Sequence, residues 1–270
     1  MSHPMEAEVA DELTDGVSDA VRHLILVLAD SKRLLGMRYA GWLLGAPELE
    51  AGIACASMAQ DEWGHGRLLY SLLRDFGEDV DRTEHGRDPS EYANMQVLDR
   101  APESWAELVA LNTLVDCALT IQFEAFRESS YTPLRQRVDK LLDEERFHFA
   151  HGAAWLRRLA QGGDATRDSM KAAVEQVAPT VFQWFGPDSD AAGDLVRAGI
   201  ADGAGSSLRE RLAERLRPVL TELFGDVPEA WLAPVFGDFS EATRRTTGSQ
   251  PDLATIEQVR GDKNRAFLMD

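Results

Sequence analysis

Apolar side chains recur every three or four positions through most of the stretch from Asp19 to Leu159, and the pattern stops where glycine and proline cluster. The spacing predicts a helix from about Asp19 to Leu44, closed by Gly45, and a second from Pro47 to Phe76, closed by Gly77. A charged loop from Glu78 to Ser90 follows, and its His85 is read as solvated and without a role. A third helix is expected from about Pro102 to Ser129, and a fourth from Thr132-Pro133 to Leu159, ahead of the Gly162-Gly163 break. Each carries one apolar stripe: Ile25, Leu28, Leu35 and Tyr39; then Met58, Leu69 and Leu72; then Leu108, Leu119, Phe123 and Phe126; then Val138, Leu141 and Trp155. Four such stripes can bury one another in a four-helix bundle.

Polar residues interrupt the same stripes. Lys32 sits in the first, Glu62 and His65 in the second, Asn112 and Asp116 in the third, Glu145 and His148 in the fourth. Residues three apart share a helical face, so each Glu-x-x-His aims a carboxylate and an imidazole at one point inside the bundle. Buried carboxylates and imidazoles need partners, and a shared pair of metal ions would supply them. With 22 Glu and 6 His in a chain of 270 residues, chance gives fewer than one Glu-x-x-His; this chain has two, at Glu62 to His65 and at Glu145 to His148. The charged residue of each odd helix precedes the next Glu by nearly the same interval, Lys32 to Glu62 in one hairpin and Asp116 to Glu145 in the other, as an internal duplication would leave it. The expected fold is therefore all-α, a ferritin-like four-helix bundle with additional C-terminal helices.

Within that bundle the expected metal ligands are Glu62, His65, Asp116, Glu145 and His148, with Lys32, Glu62 and Glu145 as candidate catalytic groups. Glu124 competes with Asp116 for the helix 3 role but lies off the stripe. Asp61 and Glu144 either orient the histidines or face solvent. Lys32 departs from the duplication, because an ammonium cannot ligate a metal while protonated. It either pairs with Glu62 or Glu145, or helix 1 is rotated so that Lys32 points outward and Asp30 comes nearer the site. An inward Lys32 predicts at most one tightly bound ion, held mainly by Asp116, Glu145 and His148.

Composition narrows the function classes. A formal charge of −18 leaves no basic stripe to neutralise phosphates or an anionic membrane, so neither nucleic acid nor membrane is an expected partner. Cys55 and Cys117 fall within predicted helices and read as small core residues of a reducing cytoplasm. No uninterrupted apolar run approaches the length that a membrane span needs, and the stretch from Met1 to Gly16 is acidic, so the chain reads as cytoplasmic, without a membrane span or signal peptide. Residues 1–18 read as a flexible N-terminus, 19–225 as the bundle domain, and 226–270 as an extension packing on the bundle or on a partner. Further helices are expected near 166–185, 189–202 and 206–224, the last with a solvated Arg/Glu face. Phe182, Trp184 and Phe185 look exposed enough to bind a partner.

Several blocks resemble the phenylacetic acid catabolic proteins, the catalytic and structural subunits of phenylacetyl-CoA epoxidase. Gly45-Ala46-Pro47-Glu48-Leu49-Glu50 with Ile53-Ala54 is similar to the structural subunit. Gln60-Asp61-Glu62, Gly64-His65-Gly66, Leu114-Val115-Asp116, Ser130-Tyr131-x-Pro133 and Glu144-Glu145-x-Phe147-His148 are similar to the catalytic one. The resemblance spans about residues 20–230 and implies that Glu62, His65, Asp116, Glu145 and His148 are ligand positions. It also implies one or two iron ions (manganese being the substitute), oxygenation of an aromatic acyl-CoA, a reductase component, and a homo-oligomer or related helical subunit as partner. Lys32 stands where the catalytic subunit has Glu. Two other readings stay open: a non-catalytic structural subunit with a degenerate site, and a ferritin-like oxidase of another substrate.

Overall fold

The computed structural model describes residues 14–246, 248–261 and 267. Regular structure among them is helical, apart from one isolated antiparallel bridge between Ser240 and Arg245. The bundle is built from α1 (Asp15–Ala40), α2 (Leu49–Leu72), α4 (Trp105–Glu124) and α5 (Thr132–Ala160). A short α3 (Val80–His85) lies between the two hairpins. Beyond them come α6 (Asp164–Gln183), α7 (Asp190–Arg197), α8 (Ser206–Phe224), α9 (Glu229–Leu232) and α10 (Leu253–Arg260). α6 and α8 pack on the outer side of α4 and α5. Every stripe residue named above is buried except Trp155, which is half-buried.

Each hairpin closes on a glycine. A Cβ at Gly36 of α1 would meet the Trp63 ring at 2.7 Å, and one at Gly152 of α5 would meet Asn112 Oδ1 and Thr113 Oγ1 at 2.8 Å. Absence of a side chain there lets α1 approach α2, and α4 approach α5, closely enough for their polar residues to touch.

Several sequence-based boundaries move. The expected flexible stretch 1–18 is already helical from Asp15, and its residues 1–13 lie outside the described residues, as do 262–266 and 268–270 of the tail. α1 ends at Ala40, not Leu44. Beyond it Leu43 and Leu44 are 43% and 94% exposed, so their apolar spacing has no face to bury and does not sustain a helix. α2 gives way to a 3₁₀ turn, Leu73–Phe76, before Gly77 at φ 75°. The expected loop after it contains α3, because Asp79 caps the Arg82 amide at 3.1 Å. α4 stops at Glu124 rather than Ser129. By length and mean hydropathy (1.3) it could cross a bilayer, yet 94% of its most apolar 18-residue stretch is buried: interrupted by Asn112 and Asp116, it is a core helix of the bundle.

The aromatic cluster at the end of α6 is a correction. Phe182, Trp184 and Phe185 are at most 2% exposed, packed against Trp231 and one another. α9 and the following chain cover them, which periodicity within α6 could not foretell. α8 likewise does not have a wholly solvated charged face: Arg209 is buried and donates to the carbonyls of Gly186 (2.5 Å) and Leu232 (3.3 Å). The tail, which shows little periodicity, is tied to the bundle by arginines. Arg245 donates to Asp99 at 2.6 and 3.0 Å, Arg38 to Thr255 Oγ1 at 3.1 Å, and Arg33 to the Val259 carbonyl at 2.8 Å.

Candidate metal centre

The centre of the bundle is an ion cluster. Lys32 Nζ donates to Glu145 Oε1 at 2.6 Å, Glu62 Oε1 at 2.9 Å and Asp116 Oδ1 at 3.1 Å, and all four residues are fully buried. The outward-rotated alternative for α1 is thereby excluded. Asp30, two residues away and so on nearly the opposite face, takes its own buried partners: Arg87, Tyr70 (2.5 Å) and the Ala93 amide (2.8 Å). Glu124 also stays outside, paired with Arg215 at 2.9 Å.

The two Glu-x-x-His pairs are arranged reciprocally. His148 Nδ1 lies 3.2 Å from Glu62 Oε1 and 3.3 Å from Asp116 Oδ2, while its Nε2 faces Asp61 at 3.2 Å. His65 Nδ1 lies 3.0 Å from Glu145 Oε1, off the hydrogen-bond axis, and its Nε2 meets Glu144 at 2.6 Å. Each acid that precedes one ligand-type Glu thus orients the histidine of the other helix. Asp61 and Glu144 are themselves about one-third exposed, so each histidine is one carboxylate away from solvent. Ligand atoms of Glu62, Asp116, Glu145 and His148 all fall within 4.8 Å of one another, with His65 against the Glu145 edge.

Two further residues complete the cluster: Tyr39, which the stripe marks only as core, and Asn112, whose place on the stripe four residues before Asp116 makes it a partner for that acid. Tyr39, two turns from Lys32 on the same stripe, donates to Asp116 Oδ2 at 2.6 Å. Asn112 donates to Tyr39, to Asp116 and to the His148 carbonyl, and its Oδ1 lies 3.0 Å from His151 Nδ1. Asn112 lies in a π-helical turn, Leu111–Val115, immediately before Asp116. The extra residue of a π turn shifts the helix face locally, a common device at functional sites, and nothing in the apolar pattern announces it.

Electrostatics decide the protonation. Burial alone would lower the Lys32 pKa, but Glu145, Glu62 and Asp116 outweigh it and hold the ammonium charged, well above its ordinary range. Burial would likewise lower His148, yet Asp116, Glu62 and Glu145 push it up to about 12. His65 is raised on the same principle, against its burial, by Glu145. Burial pushes the Glu62 carboxyl up to about 7 against the pull of Lys32. Asp116 resists its burial through Lys32 and His148 and falls well below the usual carboxylate range.

A charge balance tests which ions fit. Three carboxylates and one ammonium leave two negative charges. Two imidazolium ions neutralise these, and so does one divalent cation bound between neutral imidazoles. A second divalent cation would leave excess positive charge in a dry core. Glu62 Oε2 and His65 Nδ1 are buried without a hydrogen-bond partner, so ligand capacity for one ion remains. On this charge balance the cluster suits a metal site beside Lys32, with one divalent ion better matched than two.

Beside Glu145, a cleft of about 610 Å³ opens between α4, α5 and α8, lined by Cys117, Thr120, Leu142 and Phe149, by Arg127, Arg146 and Arg215, and by the acids Glu124, Asp139 and Asp143, of which Glu124 pairs with Arg215. Sequence comparison agrees with this architecture. The family model for phenylacetic acid catabolic proteins matches residues 1–244. The chain belongs to that family. Two relatives are components of 1,2-phenylacetyl-CoA epoxidase from Escherichia coli strain K12. To the A-type component the chain is 29% identical over 199 residues, covering 71% of this chain and 63% of the relative. To the C-type component it is 27% identical over 165 residues, covering 60% of this chain and 66% of the relative. The chain thus spans just under two-thirds of either relative's length. The buried Glu/Asp/His cluster suits a metal site.

Proposed function

We propose that this family member is an oxygenase-type subunit acting on an aromatic acyl thioester, with a centre that holds one iron ion, or manganese in its place, while Lys32 occupies the space of a second. The observation that carries this reading is Lys32 Nζ bonded to all three carboxylates inside an otherwise intact ligand set. Glu62, Asp116, Glu145 and His148 would hold the ion, with His65 at its Glu145 edge. A bound iron ion would supply dioxygen chemistry. The chain's own groups supply the remainder. Lys32 fixes the three carboxylates and cancels one of their charges. Asp61 and Glu144 orient the imidazoles and carry away the protons that leave when a metal binds. Tyr39 holds Asp116. The cleft gives a substrate a route to Glu145, and Arg127 and Arg146 in its lining are the groups that would meet an anionic end, beside the acids Asp139 and Asp143. A reductase component and a helical partner, either a related subunit or a second copy, complete the assembly in this proposal.

The competing reading is a non-catalytic structural subunit, favoured by the same lysine: the cluster is already charge-balanced by protons alone. Metal analysis separates the two. The expected result is close to one equivalent of iron in protein loaded anaerobically, rising towards two in Lys32→Glu, which restores a fourth carboxylate. No bound metal in the wild type supports the structural reading, and two equivalents would sink the proposal that Lys32 excludes the second ion.

A further inference from the structure

A second cavity, remote from the ion cluster, has the character of a ligand site. It encloses about 250 Å³ between the start of α1, α7 and the chain around residues 185–187 and 239–244. Its walls are apolar: Leu24 and Val27 of α1, Leu195 of α7, and the rings of Phe185 and Phe239. An engineered cavity of about 150 Å³ is known to hold benzene, so this volume suits a single ring or a short alkyl chain.

One arginine, Arg244, is among the residues that line it. Two consecutive arginines, Arg244 and Arg245, leave the turn in different directions. Arg245 goes to the carboxylate of Asp99. Arg244, at φ 50° and the sole non-glycine with positive φ among the described residues, turns inward. Its one hydrogen bond among the described residues is to a neutral group, Gln122 Oε1 at 2.7 Å, and its Cζ lies 4.8 Å from the centroid of the Trp184 ring. A bulky side chain in the left-handed region is strained, and the surroundings must hold it there. The strain delivers a positive charge to an apolar chamber without a carboxylate bonded to it. Burial lowers its pKa to about 10, with Glu241 opposing. Two acids also line the cavity: Asp19 lies 3.7 Å from Arg22, and Glu241, which accepts from Ser189 at 2.5 Å, is the carboxylate whose charge acts on Arg244 without a hydrogen bond to it. His23, the other titratable group in the wall, is kept towards its neutral form by burial and by Arg22.

An incompletely paired charge in a small apolar cavity gains most from a ligand that brings the opposite charge on an apolar body. We infer that this cavity binds a small monocarboxylate, aryl or short alkyl, with its carboxylate on Arg244 and its hydrocarbon part against Leu24, Val27, Leu195 and Phe239. The inference does not depend on the metal centre or on its reading as an oxygenase.

Calorimetric titration of the full chain with 3-phenylpropionate and hexanoate, each beside its primary amide, tests it. Saturable binding of the acids is expected, at least about tenfold tighter than of the amides. Arg244→Gln should lower acid affinity at least about tenfold and leave the amides unchanged, and Ala192→Trp, which fills the chamber, should abolish both. Absence of saturable binding, or amides binding as tightly as acids, would overturn the proposal. Should Arg244→Gln fail to fold, the comparison of acid with amide on the wild type still decides.

Discussion

Lys32 is the residue on which the centre turns. Removing its charge while keeping its bulk, as in Lys32→Met, leaves three buried carboxylates with only imidazolium as counter-ion. Breaking a buried ion pair in this way costs about 3–5 kcal/mol. Chemical denaturation of the metal-free variant should show that loss, and one equivalent of a divalent ion should recover part of it. The histidines and Glu62 give a second test at this scale. His148 has its pKa raised from 6.5 to about 12, so its contribution is fully present below pH 6.5 and drains away as pH rises towards 12. Glu62, raised from 4.5 to about 7, loses its contribution between those values. Asp116 is depressed and matters only at the acid end, where stability falls as pH drops below its ordinary 3.8. The melting temperature of the metal-free protein should therefore decline from about pH 5 upward. Glu62→Gln should flatten that decline below pH 7 and leave the alkaline limb in place. With a divalent ion present the trend should reverse, because binding releases imidazole protons. A metal-free melting temperature that is level from pH 5 to 9 would contradict the protonation scheme.

Among the elements, the α4–α5 contact positions the acid side of the cluster. Gly152 sits where a methyl group would strike Asn112 and Thr113, and Asn112 in turn holds Asp116 and the His148 carbonyl. Gly152→Ala should cost about 1–3 kcal/mol by overpacking. It should also weaken metal binding without removing any ligand. Gly64→Ala on α2, whose Cβ would meet nothing within 4 Å, is the control and should be silent or slightly stabilising. Equal effects of the two substitutions would show that Gly152 is not a spacing device. The π turn before Asp116 belongs to the same element, and it explains why an α-helical stripe finds Asp116 but does not predict how Asn112 reaches three partners at once.

At the scale of the whole molecule, the aromatic cluster of α6 is internal and offers no surface to a partner. Leu44, Leu49 and Ile53 are 94%, 77% and 60% exposed at the turn that joins α1 to α2. Such grouped apolar exposure marks contact surfaces. Combining Leu44→Glu with Ile53→Glu should lower the mass seen by sedimentation, for the chain alone or mixed with a related subunit, while metal content stays unchanged. A monomeric mass in wild type and variant alike, with and without that subunit, would count against this surface.

Periodicity alone determines four long helices and which face of each is buried, because burial of a stripe follows from residue order and helix pitch. The duplicated spacing places Lys32, Glu62, Asp116 and Glu145 on those faces, and the structure brings them together. Periodicity says nothing about what lies opposite a face. The choice of Asp61 for His148 and Glu144 for His65, the engagement of Tyr39 and Asn112, and the covering of Phe182 by Trp231 of α9 are contacts between segments far apart in sequence. The inward turn of Arg244 onto Gln122, 122 residues away, is of the same kind. Such contacts depend on how helices approach one another, and that is set by three-dimensional packing rather than by the order of residues within any one helix.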